Sequence, residues 1–132
     1  MKPRFWFASL GLVSVIALAG HASFAADDAM IEQGEKVFKK CMACHTLEEG
    51  GKSKTGPNLF GVIGRPAGTF EGFKYSDAMK NSGIVWDEQK LADYLKDPKA
   101  YVPGNKMAFK GVTDEADRLA VIAYLKHEST EK

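Results

Sequence analysis

Residues 41–45, Cys-Met-Ala-Cys-His, are the segment of the 132-residue chain whose residue types and spacing best suit chemistry. Cys41 and Cys44 are the only two cysteines, and His45 follows directly. Cys-x-x-Cys-His is the attachment sequence of a c-type haem. Two thiols three positions apart can bond to one edge of the porphyrin, and the next residue then lies under the ring with its imidazole near the iron. The sequence therefore predicts one covalently attached haem c, with His45 as an iron ligand.

Three other kinds of site fit this pentapeptide less well. A thioredoxin-like redox pair belongs to a βαβ setting, which the sequence does not predict. A structural zinc site needs four ligands, and two cysteines with His45 supply three. A disulfide between Cys41 and Cys44 would close a very small loop and stabilise little. Haem attachment is the favoured interpretation.

The sixth ligand of the iron separates an electron-transfer site from an open iron that binds or transforms small molecules. Met107 is the favoured ligand because it lies in YVPGNKMAF, a Pro-Gly loop 107 − 45 = 62 residues after His45. The alternative is a loop methionine that fills a gap in the core. His127, near the end of the last predicted helix, is expected to be solvated. The other methionines of the predicted mature chain are assigned to a helix contact, the attachment sequence and the core: Met30, Met42 and Met79.

The N-terminus has the three-part layout of a secretory signal peptide. Lys2 and Arg4 precede an apolar run of about 16 residues, and the small residues Ser23 and Ala25 suit cleavage after Ala25. Residues 26–132 would then form one mature domain, with 16 basic and 17 acidic side chains. This balance gives no reason to expect nucleic acid binding. The alternative is that the segment is retained as a membrane anchor, although the run is short for a spanning helix.

Apolar spacing and capping residues predict an all-α chain with three main helices, a short one and long loops. No segment alternates like a strand, and residues 46–72 are expected to be loops. Gly34 lies on the apolar face of the first helix, which indicates a close crossing with another helix. The predicted helices are 29–40, a short helix in YSDAMKNSG ending at Gly83, 87–97 stopped by Pro98, and Thr113 or Asp114 to about His127.

Several segments in order resemble the class I cytochromes c, and within them the bacterial cytochrome c2 and mitochondrial kind. The matching segments are GEKVFKKCMACH, KTGPNLFGVIGR, YSDAMKNSGIVW, YLKDPKAYVPGNKMAFKGV and RLAVIAYLK. The resemblance implies a cytochrome c fold, in which helices and loops wrap around one haem. It also implies His45 and Met107 as axial ligands, and a crossing where Gly34 and Phe38 meet Tyr124.

The resemblance further implies a set of residues around the haem. Pro57 would accept a hydrogen bond from the His45 ring, and Tyr94 would approach the Met107 sulfur. Two positions depart from the family pattern: Asn105 stands where many relatives have a propionate-binding threonine, and Met79 where mitochondrial relatives often have asparagine. The implied propionate contacts are Arg65, Tyr75, Trp86 and the position of Asn105.

The expected function is a soluble periplasmic one-electron carrier that is not an enzyme. Two alternatives remain open: a haem enzyme or gas-binding protein with an open sixth site, and a membrane-anchored cytochrome subunit. The expected partners of a monomer are membrane redox complexes, with a bc1-type donor and an oxidase, reductase or reaction-centre acceptor. A positive face would steer them to the haem edge, and its lysines are Lys39, Lys40, Lys52, Lys54, Lys99, Lys106 and Lys110.

Overall fold

The computed structural model describes residues 21–130, and these form five α-helices joined by loops. The described residues contain no strand, only an isolated antiparallel bridge between Pro66 and Val85. The predicted all-α class is therefore confirmed. Residues 1–20 of the predicted signal peptide lie outside the described residues. The helices are α1 His21–Phe38, α2 Asp77–Lys80, α3 Glu88–Lys96, α4 Pro98–Tyr101 and α5 Glu115–Thr130.

Helix α1 differs from its predicted bounds of 29–40 at both ends. It already includes His21, the first described residue, and the alanines of residues 21–28 favour helix there. It ends at Phe38, where the Cys41 N–H donates to the Phe38 carbonyl at 2.7 Å and begins a series of tight turns. The predicted cleavage point after Ala25 falls inside α1, and cleavage there stays a prediction.

Side-chain caps fix the middle helices. Asp87 caps α3 by accepting from the Lys90 N–H at 2.7 Å. Pro98 ends α3, as predicted, but it also begins α4 as its first residue, with Asp97 accepting from the Ala100 N–H at 3.1 Å. The segment before Met107 is therefore a helical turn followed by a shorter loop than the sequence predicted.

The first and last helices cross at Gly34. A Cβ atom there would lie 2.6 Å from the Tyr124 Cβ and would also overlap the Ala120 carbonyl. The Phe38 and Tyr124 rings pack beside the crossing with centroids 5.5 Å apart. The predicted close crossing is confirmed, and it ties both ends of the domain together. Helix α5 also runs three residues past its predicted end at His127.

Apolar side chains from α1, α3 and α5 form a core that surrounds one cavity. Within the part of the chain that the structure describes, no helix combines the length and apolar character needed to cross a bilayer. The buried side chains that meet at the core include Val37, Phe38, Trp86, Leu91, Val121, Ile122 and Leu125.

Candidate haem site

The cavity of about 370 Å³ brings together the residues that the sequence marked for chemistry. Cys41, Cys44 and His45 line it, and so does Met107, although 62 positions separate the histidine from the methionine. Most of its remaining lining comes from loop residues, and helices α1, α3 and α5 add the apolar or aromatic side chains of Phe38, Leu91, Tyr94, Leu95, Val121 and Leu125. A large apolar cavity with a few polar side chains is the usual form of a cofactor site.

The His45 ring is held by its neighbours. Its Nδ1 lies 2.7 Å from the Pro57 carbonyl oxygen, which can only accept, so Nδ1 carries the hydrogen and Nε2 keeps a free lone pair. Burial lowers the pKa of His45, and the Pro57 contact opposes this shift only in part. The imidazole is therefore neutral, which is the form that binds a metal. The contact predicted between Pro57 and His45 is present.

Gly56 gives the imidazole room. A Cβ atom at Gly56 would lie 2.7 Å from the Nδ1 of His45 and 2.8 Å from its Nε2, closer than real side chains approach. The Gly56 N–H also donates to the Cys44 carbonyl at 2.7 Å, which fixes this loop against the attachment turn. Sequence reasoning missed Gly56, and its only local signal is its place directly before Pro57.

The attachment residues sit on a helical turn after α1. The His45 N–H donates to the Cys41 carbonyl at 2.9 Å, and the Cys44 N–H donates to the same oxygen at 3.1 Å. Both thiols are free, Cys41 half-buried and Cys44 exposed, and burial raises the pKa of the Cys41 thiol. Among the described residues no group of three or more His, Cys, Asp or Glu side chains is placed to hold a metal ion.

Met107 is held at its sulfur and at its backbone. The Tyr94 hydroxyl donates to the Met107 Sδ at 3.8 Å, and the Asn105 Oδ1 accepts from the Met107 N–H at 2.9 Å. Burial raises the pKa of Tyr94 to about 12, so its hydroxyl stays a neutral donor. The predicted approach of Tyr94 to this sulfur is present.

Three of the four expected propionate contacts, Arg65, Tyr75 and Trp86, line the same cavity. The Arg65 guanidinium donates to the Asn58 carbonyl at 3.0 Å and stacks 5.0 Å from the centre of the Phe70 ring. The backbone N–H of Trp86 donates to the Arg65 carbonyl at 3.0 Å, and the side chains of Trp86 and Tyr75 line the same cavity. Burial lowers the pKa of Arg65 and raises that of Tyr75.

The lining therefore fits a haem. No ion pair within residues 21–130 joins Arg65 to a carboxylate, although its guanidinium is half-buried at the cavity. A half-buried cation without an acidic partner suits the carboxylates of a haem. Together, the Arg65 cation, the cradle at Gly56, the two free thiols and the neutral His45 match the edge groups and the iron of a c-type haem.

The two residues that depart from the family pattern, Asn105 and Met79, both line the cavity. Asn105 borders the cavity, but both contacts of its Nδ2 go to backbone carbonyls, and its role toward a propionate stays a prediction. Met79 lines the cavity from α2 and packs against the core. His127 is half-buried on α5 and is not part of the cavity lining.

The seven lysines of the expected docking face are all exposed. Lys40 and Lys106 belong to the cavity lining, so positive charge lies at its mouth. The Lys54 Nζ already donates a hydrogen bond to the Met42 carbonyl at 3.2 Å, so it is less available to a docking partner. The structure is compatible with a positive face, and docking there stays a prediction.

Fold and site together define a helical c-type haem protein. The profile of the cytochrome c family matches residues 31–129. Cytochrome c2 of Blastochloris viridis is 51% identical over 111 residues, 84% of this chain and 86% of the relative. Cytochrome c of Theileria annulata is 54% identical over 99 residues, 74% and 85% of the two chains. The chain belongs to the cytochrome c family.

A solved structure agrees with these sequence matches. Cytochrome cH from Methylobacterium extorquens is 46% identical and superposes with a TM-score of 0.69, covering 73% of this chain and 96% of that one. The cytochrome c fold and the single covalently attached haem c are thereby shown. The resemblance to class I cytochromes is confirmed, and electron transport is the activity that membership of the family supports.

Proposed function

We propose that this chain is a soluble periplasmic one-electron carrier with His45 and Met107 as axial ligands. The observation that carries the proposal is the cavity that gathers the Cys-x-x-Cys-His turn and the Met107 loop. When bound, the haem supplies an iron that alternates between Fe(III) and Fe(II). A carrier needs both axial positions filled, because an open position favours ligand binding or catalysis.

Neighbouring residues position the two proposed iron ligands, His45 and Met107, and surround them with apolar side chains. Pro57 orients the His45 ring through its carbonyl and makes the imidazole a stronger donor. The Met107 thioether would be a soft ligand to a bound haem iron, which would favour the reduced state and raise the potential. The buried side chains of Trp86 and Leu91 line the cavity and keep it apolar, which also favours the reduced state.

The first alternative, an enzyme or gas-binding protein, requires that Met107 stay away from the iron. The contact of Tyr94 with the Met107 sulfur opposes this, since it holds that side chain at the cavity. We therefore favour a carrier that transforms no substrate of its own.

The proposed location rests on the N-terminal sequence. The predicted signal peptide of residues 1–25 leads to export and cleavage, whereas a retained segment would make the protein a membrane-anchored subunit. N-terminal sequencing or the intact mass of the exported protein distinguishes these two. A mature chain that begins near Ala26 supports the soluble form.

The proposed partners are membrane redox complexes: a bc1-type donor and an oxidase, reductase or reaction-centre acceptor. Exposed lysines beside the cavity, Lys40 and Lys106 among them, would attract acidic docking surfaces. Complexes of this kind have small interfaces and exchange quickly.

A redox-titrated absorption spectrum of the purified holoprotein tests the proposal. We expect a low-spin c-type spectrum, the band near the red end that reports methionine bound to Fe(III), and a single one-electron transition. The reduced protein should not bind carbon monoxide rapidly at neutral pH. Rapid binding, or absence of the methionine band, would contradict His45 and Met107 ligation.

A further inference from the structure

A buried asparagine links helix α4 to the loop that carries Met107. Asn105 is 8% exposed and lies two residues before the methionine. Its Nδ2 donates to the Pro98 carbonyl at 2.7 Å and to the Val102 carbonyl at 2.8 Å. Its Oδ1 accepts from the Met107 N–H at 2.9 Å. The side chain therefore makes three hydrogen bonds, one of them directly to the ligand residue.

The partners of the Asn105 amide allow only one orientation. The carbonyls of Pro98 and Val102 can only accept, and the Met107 N–H can only donate. A flipped amide would place its oxygen against two carbonyl oxygens and its NH₂ against an N–H. The chemistry of the partners therefore assigns Oδ1 to Met107 and Nδ2 to helix α4.

The far end of this link is itself fixed. Asp97 caps the first turn of α4, and the Val102 N–H donates to the Pro98 carbonyl at 3.1 Å. The Asn105 N–H donates to the Val102 carbonyl at 3.1 Å, which closes a second turn. Asn105 thus attaches Met107 to a hydrogen-bonded helical unit.

We propose that Asn105 is a positioning residue for the sixth iron ligand, and that its contacts resist the displacement of Met107 by other ligands. The proposal rests on the proposed function, in which Met107 binds the iron. The family resemblance implies that many relatives have threonine at the position of Asn105. A threonine hydroxyl has one donor hydrogen, whereas the asparagine amide has two. A threonine cannot reproduce all three hydrogen bonds. We call this set of three bonds the Asn105 clamp, and it depends on the asparagine of this chain.

Displacement by imidazole tests the clamp without relying on electron-transfer activity. The oxidised holoproteins of the wild type and Asn105→Ala are titrated with imidazole at one pH and salt concentration. Loss of the methionine–iron absorption band reports displacement. We expect Asn105→Ala to bind imidazole about tenfold more tightly, since Met107 leaves without breaking buried hydrogen bonds. Equal affinity of the two proteins would overturn the proposal.

Asn58 provides a matched control in another loop. It is 1% exposed, its Nδ2 donates to Thr46 Oγ1 at 2.8 Å and to the Glu48 carbonyl at 2.9 Å, and its Oδ1 accepts from the Phe60 N–H at 2.9 Å. Asn58→Ala therefore removes the same bonding pattern on the His45 side. It should lower the denaturation midpoint but change imidazole affinity less than about twofold. Equal tightening in both alanine variants would indicate general loosening and overturn the proposal.

A threonine variant covers the case in which Asn105→Ala does not fold. Asn105→Thr retains one hydroxyl donor, so its imidazole affinity should lie between those of the wild type and the alanine variant, and above the wild type in any case. Wild-type affinity in Asn105→Thr would count against the clamp. Absence of the methionine band in the wild type would instead refute the proposed function, so the two failures are distinct.

Discussion

At the scale of single residues, the two proposed iron ligands are held in different ways. His45 is fixed by the Pro57 carbonyl and by the close approach of Gly56, so its ring is oriented by backbone. Met107 depends on two side chains, with Tyr94 at its sulfur and Asn105 at its N–H. Substitutions should therefore perturb the methionine side more readily than the histidine side.

Gly56→Ala should destabilise the holoprotein by about 2 kcal/mol, because the new methyl group would overlap the His45 ring. Unfolding by denaturant, followed by haem absorption, measures the change. Gly61→Ala is the control, since a Cβ there meets nothing within 4 Å and the substitution costs only about 1 kcal/mol for its φ of +67°. A Gly56→Ala cost no larger than that of Gly61→Ala would show that the ring can move aside.

Tyr94→Phe should lower the reduction potential. The hydroxyl donates a hydrogen bond to the Met107 sulfur, and without it the thioether would be a better donor to the Fe(III) of a bound haem. A spectroelectrochemical titration measures the shift. Tyr101→Phe removes a hydroxyl from an exposed neighbour whose ring centroid lies 6.3 Å from that of Tyr94, and it should leave the potential unchanged. Equal shifts in both variants would exclude a specific effect at the sulfur.

At the scale of elements, the crossing of α1 and α5 depends on one position without a side chain. Gly34→Ala adds about 1 kcal/mol of helix propensity, but the methyl group would overlap Ala120 and Tyr124. We expect a net loss of stability of about 2 kcal/mol or more, because overpacking a rigid crossing outweighs propensity. Denaturant unfolding measures it, with exposed Glu35→Ala on the same helix as the control. A stabilised Gly34→Ala protein would contradict the crossing.

The same crossing should weaken in alkali. Burial raises the pKa of Tyr124 above its usual 10.0, and the nearby charges of Glu128 and Glu35 add to the shift. The folded state therefore binds the phenolic proton more tightly than the unfolded chain. This contribution is complete below pH 10 and is lost as pH rises through the folded pKa. Unfolding free energies measured across this range should fall less steeply for Tyr124→Phe, and also for Glu128→Gln, than for the wild type; equal slopes would contradict the shift.

At the scale of elements, a feature can be predicted from the sequence when the residues that determine it are neighbours along the chain. The core of α3 was predictable because the Asp87 cap and Pro98 stop are adjacent to it. Helix α4 could not be predicted, because four residues are too few to show an apolar periodicity. Pro98 indicated only the end of the preceding helix, and not the start of a new one. The role of Gly56 depends on a ring eleven positions earlier, which no local pattern reports. The resemblance supplied the ligand pair, but not the hydrogen bonds of Asn105.

At the scale of the whole molecule, nearly balanced charge coexists with lysines at the cavity mouth. The chain from residue 26 onward has 16 basic and 17 acidic side chains, so any positive face must be offset by acids elsewhere. Glu88 and Asp87 are already paired with Lys126 and Lys90, whereas the Lys106 side chain lies exposed beside the cavity. The expected consequence is a charge dipole that orients approaching partners.

Association with a membrane redox partner should therefore slow as the salt concentration rises. The Debye screening length falls from about 10 Å at 0.1 M to about 3 Å at 1 M salt, which weakens the attraction between the two surfaces. Stopped-flow kinetics measure the rate. Lys99→Glu should slow association at low salt more than Lys36→Glu, which changes a lysine on α1 paired with Glu32. Rates that are independent of salt, or equal for the two variants, would contradict a lysine docking face.

The contact at Gly34 and Tyr124 joins positions 124 − 34 = 90 residues apart, which has a consequence for biosynthesis. Because synthesis proceeds from the N-terminus, α1 cannot pack against α5 until residues 115–130 have been made. The thiols of Cys41 and Cys44 consequently spend that whole interval on an open polypeptide. A truncated product that stops before Glu115 would lack the Tyr124 ring that packs against Phe38, and would leave that apolar side chain more exposed to solvent.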